Sequence, residues 1–190
     1  DSSFVSGIQW LISNGIMTLT QETADPELKA QSVDLTISSP PILEEYFAKY
    51  VDVFGVPIYA TSAVSDDKVL HAANVLAQYL DNDADGTPDN PLVVEKIKAN
   101  DGGIPLFSEP DVDDDVLYGE PDRCWTALYA GETNPRNAFD ASLEEILHVI
   151  TQCGYAEAYP EIFGEHKDSL IAKYMDNARG GYFEWVPGKY

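Results

Sequence analysis

Apolar residues recur at helical spacing around the stretch Asp140–Tyr155. The residues on this repeat are Phe139, Leu143, Ile146, Leu147 and Ile150. Intervals of three and four place them on one face of an α-helix, and such a face packs against a core. Asp140 can cap the start of the helix, and Gly154 can adopt the left-handed conformation that ends one. We therefore predict a central helix with a buried aliphatic face.

The segments before it alternate between extended and helical patterns. The apolar, β-branched run Val51–Ala60 is the best strand candidate in the chain. Ser65 can cap a helix that runs through Leu80. The core face of this first helix is made of Val69, Ala73, Leu76 and Leu80. A second helix is predicted over Pro91–Asn100, so a short polar stretch connects two helices.

The remaining segments carry weaker patterns. Ile42–Tyr50 is predicted as a short helix, and Asp101–Tyr118 as irregular structure. Glu165–Ala178 is predicted as a helix whose inward side chains are Leu170, Ile171, Tyr174 and Met175. These elements together favour an α+β fold that is mostly helical and has a small sheet.

The chain divides into three parts by composition. Residues 1–20 carry an amphipathic helical stripe, and the string Phe-Val-Ser-Gly-Ile-Gln-Trp-Leu-Ile-Ser-Asn-Gly-Ile-Met resembles a helical module of secreted archaeal proteins. That resemblance implies export but no chemistry, and an ordinary amphipathic helix explains the periodicity equally well. Residues 21–41 contain three prolines and are predicted as a linker. Residues 42–190 then form the main domain.

The net charge of the chain limits which classes of binding partner are expected. The chain has 11 Lys and Arg against 33 Asp and Glu, which gives a formal net charge of −22. Such a surface repels phosphate backbones, so no nucleic acid is expected as a partner, whereas cations are favoured. No apolar run approaches the roughly 20 residues that span a bilayer, so no transmembrane segment is expected.

The two cysteines, Cys124 and Cys153, are predicted to form one disulfide. The export-like N-terminus supports this pairing, because disulfides persist in oxidising compartments. A buried free thiol at Cys153 is the alternative. We expect a secreted or extracellular protein.

An acidic stretch with a specific spacing follows the first helix. It reads Asp-Asn-Asp-Ala-Asp-Gly-Thr-Pro-Asp from Asp81 to Asp89. Oxygen donors at positions 1, 3 and 5 followed by a glycine form the pattern of a calcium loop. The predicted calcium ligands are Asp81, Asp83, Asp85, the Thr87 carbonyl and Asp89. The stretch resembles EF-hand-like loops but has Leu92 at position 12, where Glu95 or water would have to complete the shell.

The polar face of the central helix combines carboxylates with a histidine. Glu144 and His148 are four residues apart and therefore neighbours, with Glu145 beside them. Compared with the zinc-peptidase pattern His-Glu-x-x-His, Glu144 occupies the place of the first histidine. The helix resembles a zincin helix with one substituted ligand, which implies Glu144 and His148 as metal ligands and Glu145 as general base. A solvated helix face with a Glu–His pair fits the same spacing.

The chain's other two histidines are the candidates to complete that site. His166 lies close to where a gluzincin has its third ligand, with Asp168 and Asp176 as alternatives. A Leu-His-Ala-Ala helix, an acidic loop and a Glu-Glu-x-Leu-His helix also occur together in similar chains of unknown function, which links His71 to His148. Zinc is the ion that the zincin resemblance implies, although Glu and His ligands also suit iron, copper and manganese.

Two hypotheses for function follow. One is a secreted metal-dependent hydrolase, peptidase-like or a zincin-like relative, that calcium stabilises and that acts on a peptide or other small substrate. The alternative is a non-catalytic extracellular protein that binds calcium or a transition metal. Under both hypotheses, residues 42–190 contain a zincin-like central helix and a helix–calcium loop–helix unit, and metal ions are the expected partners. An intact water-activating metal site with Glu145 in reach distinguishes the enzyme from the binding protein.

Overall fold

The computed structural model of the chain describes residues 33–109 and 123–179. Within these residues the strands are β1 (Lys49–Val53), β2 (Val56–Ala60), β3 (Ile104–Phe107) and β4 (Leu128–Tyr129). The helices are α1 (Asp66–Leu80), α2 (Pro91–Ala99), α3 (Ser142–Val149), α4 (Ala156–Ala158), α5 (Pro160–Phe163) and α6 (Leu170–Arg179), with a π-helix at Ile150–Tyr155 between α3 and α4. The predicted α+β class with a small sheet is confirmed.

The N-terminal module over residues 1–20 lies outside the described residues, as does the first part of the predicted linker. The described end of that linker packs on the domain. Val33, Leu35 and Ile37 contact the core, and Ser38 forms an antiparallel bridge with Tyr50. The folded unit therefore includes residues before Ile42.

The four strands form one mixed sheet in the order β1-β2-β3-β4. β1 and β2 are antiparallel, whereas β3 is parallel to β2 and β4 is parallel to β3. Parallel neighbours require a long crossover. The crossover from β2 to β3 contains α1, the acidic loop and α2, and both helices contact the sheet. The sheet thus fixes the two helices that hold the acidic loop.

The segment predicted as one strand, Val51–Ala60, is a hairpin. Phe54 and Gly55 have φ angles of 56° and 87°. Two consecutive residues with positive φ are what a two-residue type I′ turn requires. Glycine at position 55 is favoured in such a turn, but phenylalanine rarely adopts the conformation required at position 54, so the segment was predicted as one continuous strand.

The helix predicted over Ile42–Tyr50 is wrong, because the chain only turns there before entering β1. Phe47 is buried, and its ring centroid lies 5.3 Å from that of Tyr59 and 6.2 Å from that of Trp125. Ile58 and Tyr59 are consecutive in β2 and point to opposite faces of the sheet. The aromatic cluster therefore covers one face of the sheet, and the helices cover the other.

β3 occupies a segment that was predicted to be irregular. All four of its residues, from Ile104 to Phe107, are buried. It has a parallel neighbour on each side and is covered on both faces, so its residues are uniformly apolar instead of alternating. A run of four residues is too short for such a strand to be distinguished from a loop by pattern.

The main core lies between the sheet and the helices. Its largest fully buried side chains include Ile58, Leu76, Ile97, Ile104, Leu106, Leu128 and Ile146. The predicted bounds and core face of α1 are confirmed, although the Ser65 side chain makes no capping hydrogen bond. The second predicted helix is confirmed as well, since α2 ends at Ala99.

The predicted buried face of the central helix is wrong. Phe139 is 66% exposed, Leu143 42% and Leu147 43%. The side that faces the core consists of Ser142, Ile146, Val149, Ile150 and Cys153. Ile146 and Ile150 belong to both stripes, so periodicity alone could not decide which of their neighbours is buried.

The central helix also continues past Gly154, where we predicted its end. A β-carbon at Gly154 would lie 2.7 Å from Cγ1 of Val93 and 3.0 Å from Cγ1 of Ile97. Such short distances are not tolerated in packed interiors. The glycine therefore serves the close packing of the π-helix on α2, and the helix ends only at Ala158.

The C-terminal helix α6 starts five residues later than predicted, at Leu170. Ser169 is buried, and its Oγ accepts a hydrogen bond from the backbone N of Ala172. Ile171, Tyr174 and Met175 were predicted to point inward, but all three are exposed. In the described part of the chain, no helix is long and apolar enough to cross a membrane.

The predicted disulfide is confirmed. Cys124 and Cys153 are bonded, with their Cα atoms 6.0 Å apart. The bond ties the segment that precedes β4 to the π-helix.

Candidate metal centres

Three aspartates converge in the loop between α1 and α2. One carboxylate oxygen from each of Asp81, Asp83 and Asp89 lies within 4.8 Å of the others. No other group of three or more Asp, Glu, His or Cys side chains in residues 33–109 and 123–179 meets this criterion. Ligands about 2.4 Å from one calcium ion can be at most about 4.8 Å apart. The three oxygens therefore fit one ion.

The backbone of the loop wraps around the carboxylate of Asp81, which is fully buried. The backbone N of Asp85 donates to Oδ1 of Asp81 at 3.1 Å, and that of Gly86 donates to Oδ2 at 2.8 Å. Positive φ angles of 60° at Ala84 and 88° at Gly86 turn the chain tightly enough for these contacts. Asp81 is therefore held in one orientation by the loop itself.

Asp89 closes the loop at its other end. Its Oδ2 accepts from the backbone N of Asn82 at 2.9 Å, and its own backbone N donates to the carbonyl of Leu80 at 2.8 Å. Asn90 follows as the cap of α2, with its side chain accepting from the backbone N of Val93. The loop thus leads directly from the end of α1 into a capped start of α2.

Asp85 and Thr87, the remaining predicted calcium ligands, are placed differently. Asp85 is not part of the three-aspartate group, and its Oδ1 accepts from the backbone N of Thr87 at 2.8 Å. Glu95 is exposed on α2 and also stays outside the group. Coordination by Asp85 and by the Thr87 carbonyl stays a prediction.

The acidic loop is linked to the end of the central helix. Nδ2 of Asn90 donates to the hydroxyl of Tyr159 at 3.1 Å. The pKa of Tyr155 is raised by burial first, and then by the nearby charges of Tyr159 and Asp89, while a hydrogen bond with Asn90 opposes the rise. The loop and the π-helix therefore share an interface.

On the polar face of the central helix, only two of the four predicted transition-metal ligands are neighbours. Nε2 of His148 lies 3.8 Å from Oε1 of Glu144, and the two side chains are 57% and 59% exposed. Glu145 is half-buried, and burial is the main reason why the pKa of its carboxyl is raised. The charges of Glu144 and Glu132 add to this rise, and His148 opposes it. A raised pKa is one feature of carboxyl groups that act in proton transfer.

The other two histidines have partners elsewhere. Nε2 of His71 lies 2.6 Å from Oδ2 of Asp140, and Nε2 of His166 lies 3.0 Å from the carbonyl of Pro160. In the described residues, neither histidine joins Glu144 and His148 in a group of metal ligands.

Asp140 makes several polar contacts, of which the sequence predicted only a capping role. Its Oδ1 accepts from the backbone N of Ser142 at 3.1 Å, from Oγ of Ser142 at 2.6 Å and from the backbone N of Asn134 at 2.9 Å. Burial alone would raise the pKa of this carboxyl, but the hydrogen bonds from Ser142, Asn134 and His71 outweigh it and lower the pKa. The cap position of the helix is Ala141, one residue after the predicted Asp140, although Asp140 still accepts from the backbone N of Ser142. The pairing of Asp140 with His71 had no signal in local spacing.

Comparisons of the chain with models of protein families, with curated proteins and with solved structures found no match.

Proposed function

We propose that this chain is an extracellular calcium-binding protein in which an ion at the α1–α2 loop stabilises the fold. The observation that carries the proposal is the convergence of Asp81, Asp83 and Asp89 within 4.8 Å of one another. Three carboxylates this close repel one another, and a bound cation relieves that repulsion.

The surroundings of the loop add to this argument. No ion pair between these three aspartates and a Lys, Arg or His is recorded in the described part of the chain. The fully buried Asp81 carries the largest desolvation cost, because charges removed from water need a compensating partner. Calcium suits the site better than magnesium, since calcium accepts a flexible shell of carboxylate, carbonyl and water oxygens. The disulfide supports an oxidising compartment.

Thermal unfolding with and without calcium tests the proposal. At a hundredfold excess over Kd, a ligand that binds only the folded state stabilises it by about 2.7 kcal/mol. For a chain of this size we expect Tm to rise by about 5 to 10 °C when calcium is added to chelator-treated protein. Asp83→Ala should abolish most of the rise, whereas the exposed Asp168→Ala, outside the loop, should retain it.

Three results would count against this site. No shift at millimolar calcium would exclude a stabilising ion. A shift that survives Asp83→Ala would place the ion elsewhere in the chain. An equal shift with magnesium at matched ionic strength would remove the case for calcium as the specific ion.

Metal-dependent hydrolysis is a second candidate function, and the specific observation that favours it is the raised pKa of Glu145 beside Glu144 and His148. A complete site would need at least one further ligand, and in the described residues His71 does not lie in a group with Glu144 and His148. Metal analysis of the purified protein, together with peptide hydrolysis assays, tests this candidate.

In the hydrolase, His148→Ala should lose both metal and activity, while Glu145→Gln should lose activity and retain metal. Glu161→Gln, an exposed glutamate on α5, is the matched control. Protein without a bound transition metal after dialysis against zinc would exclude this candidate and leave the calcium proposal intact.

A further inference from the structure

A cleft of about 470 Å³ opens beside the disulfide, and none of the loop aspartates lines it. Its volume falls in the range of small-molecule sites. The floor includes the disulfide and the buried residues Ala156 and Gly164. A floor made of a covalent cross-link and closely packed backbone changes shape little, so the cleft is preformed.

Among the described residues that line this cleft, Arg123 is the one side chain that always carries a positive charge. Its Nε donates to Oδ2 of Asp101 at 3.1 Å, and its guanidinium carbon lies 5.0 Å from the ring centroid of Trp125. The side chain is only 11% exposed. The hydrogen bond from Nε to Asp101 and the position of the guanidinium carbon over the Trp125 ring restrict the orientation of the guanidinium. Its two terminal nitrogens then form the fork that fits a carboxylate.

The rim of the cleft carries the opposite charge. Glu157 and Glu165 line it from two different segments, and both are exposed. His166 completes this side with its Nε2 fixed on the carbonyl of Pro160. A β-carbon at Gly164 would lie 2.7 Å from Cδ2 of His166 and 2.3 Å from that carbonyl. The absence of a side chain at Gly164 is therefore required for this wall.

The π-helix forms another wall of the cleft, through Gln152 and Cys153. Asn100 supports it, since its Nδ2 donates to the carbonyl of Cys153 at 3.1 Å. π-Helical turns within α-helices are rare and occur frequently at functional sites. The irregular turn, the fixed guanidinium and the acidic rim thus coincide at one cavity.

We propose that this cleft binds a small zwitterion, an amino acid or dipeptide, with its carboxylate on Arg123 and its ammonium group between Glu157 and Glu165. A simple anion would match Arg123 but would be repelled by the two glutamates and by the chain's net charge of −22. A simple cation would match the rim but would make no use of the terminal guanidinium nitrogens of Arg123, whose Nε is already paired with Asp101. A ligand with both charges satisfies both sides.

Isothermal titration calorimetry with three matched probes tests the proposal on the full chain. Glycylglycine carries both charges, glycinamide only the positive charge and N-acetylglycine only the negative charge. We expect saturable binding of glycylglycine and at least about tenfold weaker binding of the other two, because each lacks one ion pair.

Two variants assign the binding to this cleft. Glu157→Gln should weaken glycylglycine binding by about threefold or more, and Arg123→Gln should abolish it. The exposed Glu161→Gln lies outside the cleft lining and should leave binding unchanged. If Arg123→Gln fails to fold, Glu157→Gln alone tests whether glycylglycine binds in this cleft, because a substitution at the exposed Glu157 should not disturb folding. No glycylglycine binding, equal binding of all three probes, or equal effects of Glu157→Gln and Glu161→Gln would overturn the proposal.

Discussion

Asp140 shows how one side chain fixes the start of the central helix. Its two carboxylate oxygens have different partners. Oδ1 accepts hydrogen bonds from the backbone N of Asn134 and Ser142, and Oδ2 pairs with His71 on α1. Every one of these contacts favours the charged carboxylate. The pairing with His71 therefore has a structural explanation that needs no metal.

The Asp140 carboxyl is predicted to make folding stability depend on acid pH. Its pKa in the folded protein is lowered from the ordinary value of 3.8. Between the pKa of the folded state and that of the unfolded state, the unfolded chain binds more protons than the folded protein does. The free energy of unfolding therefore rises with pH in this range. This contribution is fully present above pH 3.8 and is lost as the pH falls through the lowered pKa of the folded state. We expect Asp140→Asn to cost about 1–3 kcal/mol at pH 7 and less at pH 3.

Urea unfolding of the variant and the parent at both pH values measures this difference. The exposed Asp168→Asn controls for the loss of one negative charge. Equal destabilisation by Asp140→Asn at pH 7 and pH 3 would contradict a role for the charged form.

At the scale of elements, the contact between the π-helix and α2 depends on one glycine. Gly154 is buried where a β-carbon would meet Val93 and Ile97 at 2.7 and 3.0 Å. The contact also brings Tyr155 beside the acidic loop. The interface between these two helices therefore lies next to the acidic loop.

Gly154→Ala is predicted to destabilise the protein by about 1–3 kcal/mol, because the added methyl group overpacks the interface. The higher helix propensity of alanine offsets at most about 1 kcal/mol of this cost. Gly131→Ala is the control, since a β-carbon there would have no neighbour within 4 Å. Chemical denaturation of both variants measures the effect, and a neutral or stabilising Gly154→Ala would show that the helices can separate without cost.

Elements with local signals could be predicted from the sequence, and those that depend on distant partners could not. α1, α2 and the acidic loop between them follow from helical periodicity and aspartate spacing, which both lie within a few residues. The exposure of Phe139 and Leu147 depends on how the central helix packs on α1, and no local pattern encodes that. The hairpin turn at Phe54 and the short buried strand β3 could be recognised only together with their tertiary neighbours. The cleft around Arg123 is assembled from separate segments, so its residues never form a motif.

At the scale of the whole molecule, the disulfide connects parts of the chain that are 29 residues apart. A cross-link of this separation restricts the unfolded chain and stabilises the folded state by about 3–4 kcal/mol on the loop-entropy estimate. The Cys124→Ser/Cys153→Ser double variant is expected to lose about this much in chemical denaturation. Reducing agent should destabilise the parent similarly and leave the variant unaffected. A parent whose stability does not change on reduction would contradict this role.

The same bond makes the chain between the two cysteines a closed covalent ring. Arg136 lies within that ring on an exposed segment, where a protease such as trypsin can reach the backbone. A single cut there opens the ring but does not divide the molecule, because the cross-link still joins the two pieces. The nicked protein would migrate as one band without reductant and separate into two fragments only after reduction. Hydrolysis of a peptide bond at this loop thus leaves the acidic loop and the central helix on one covalently connected molecule.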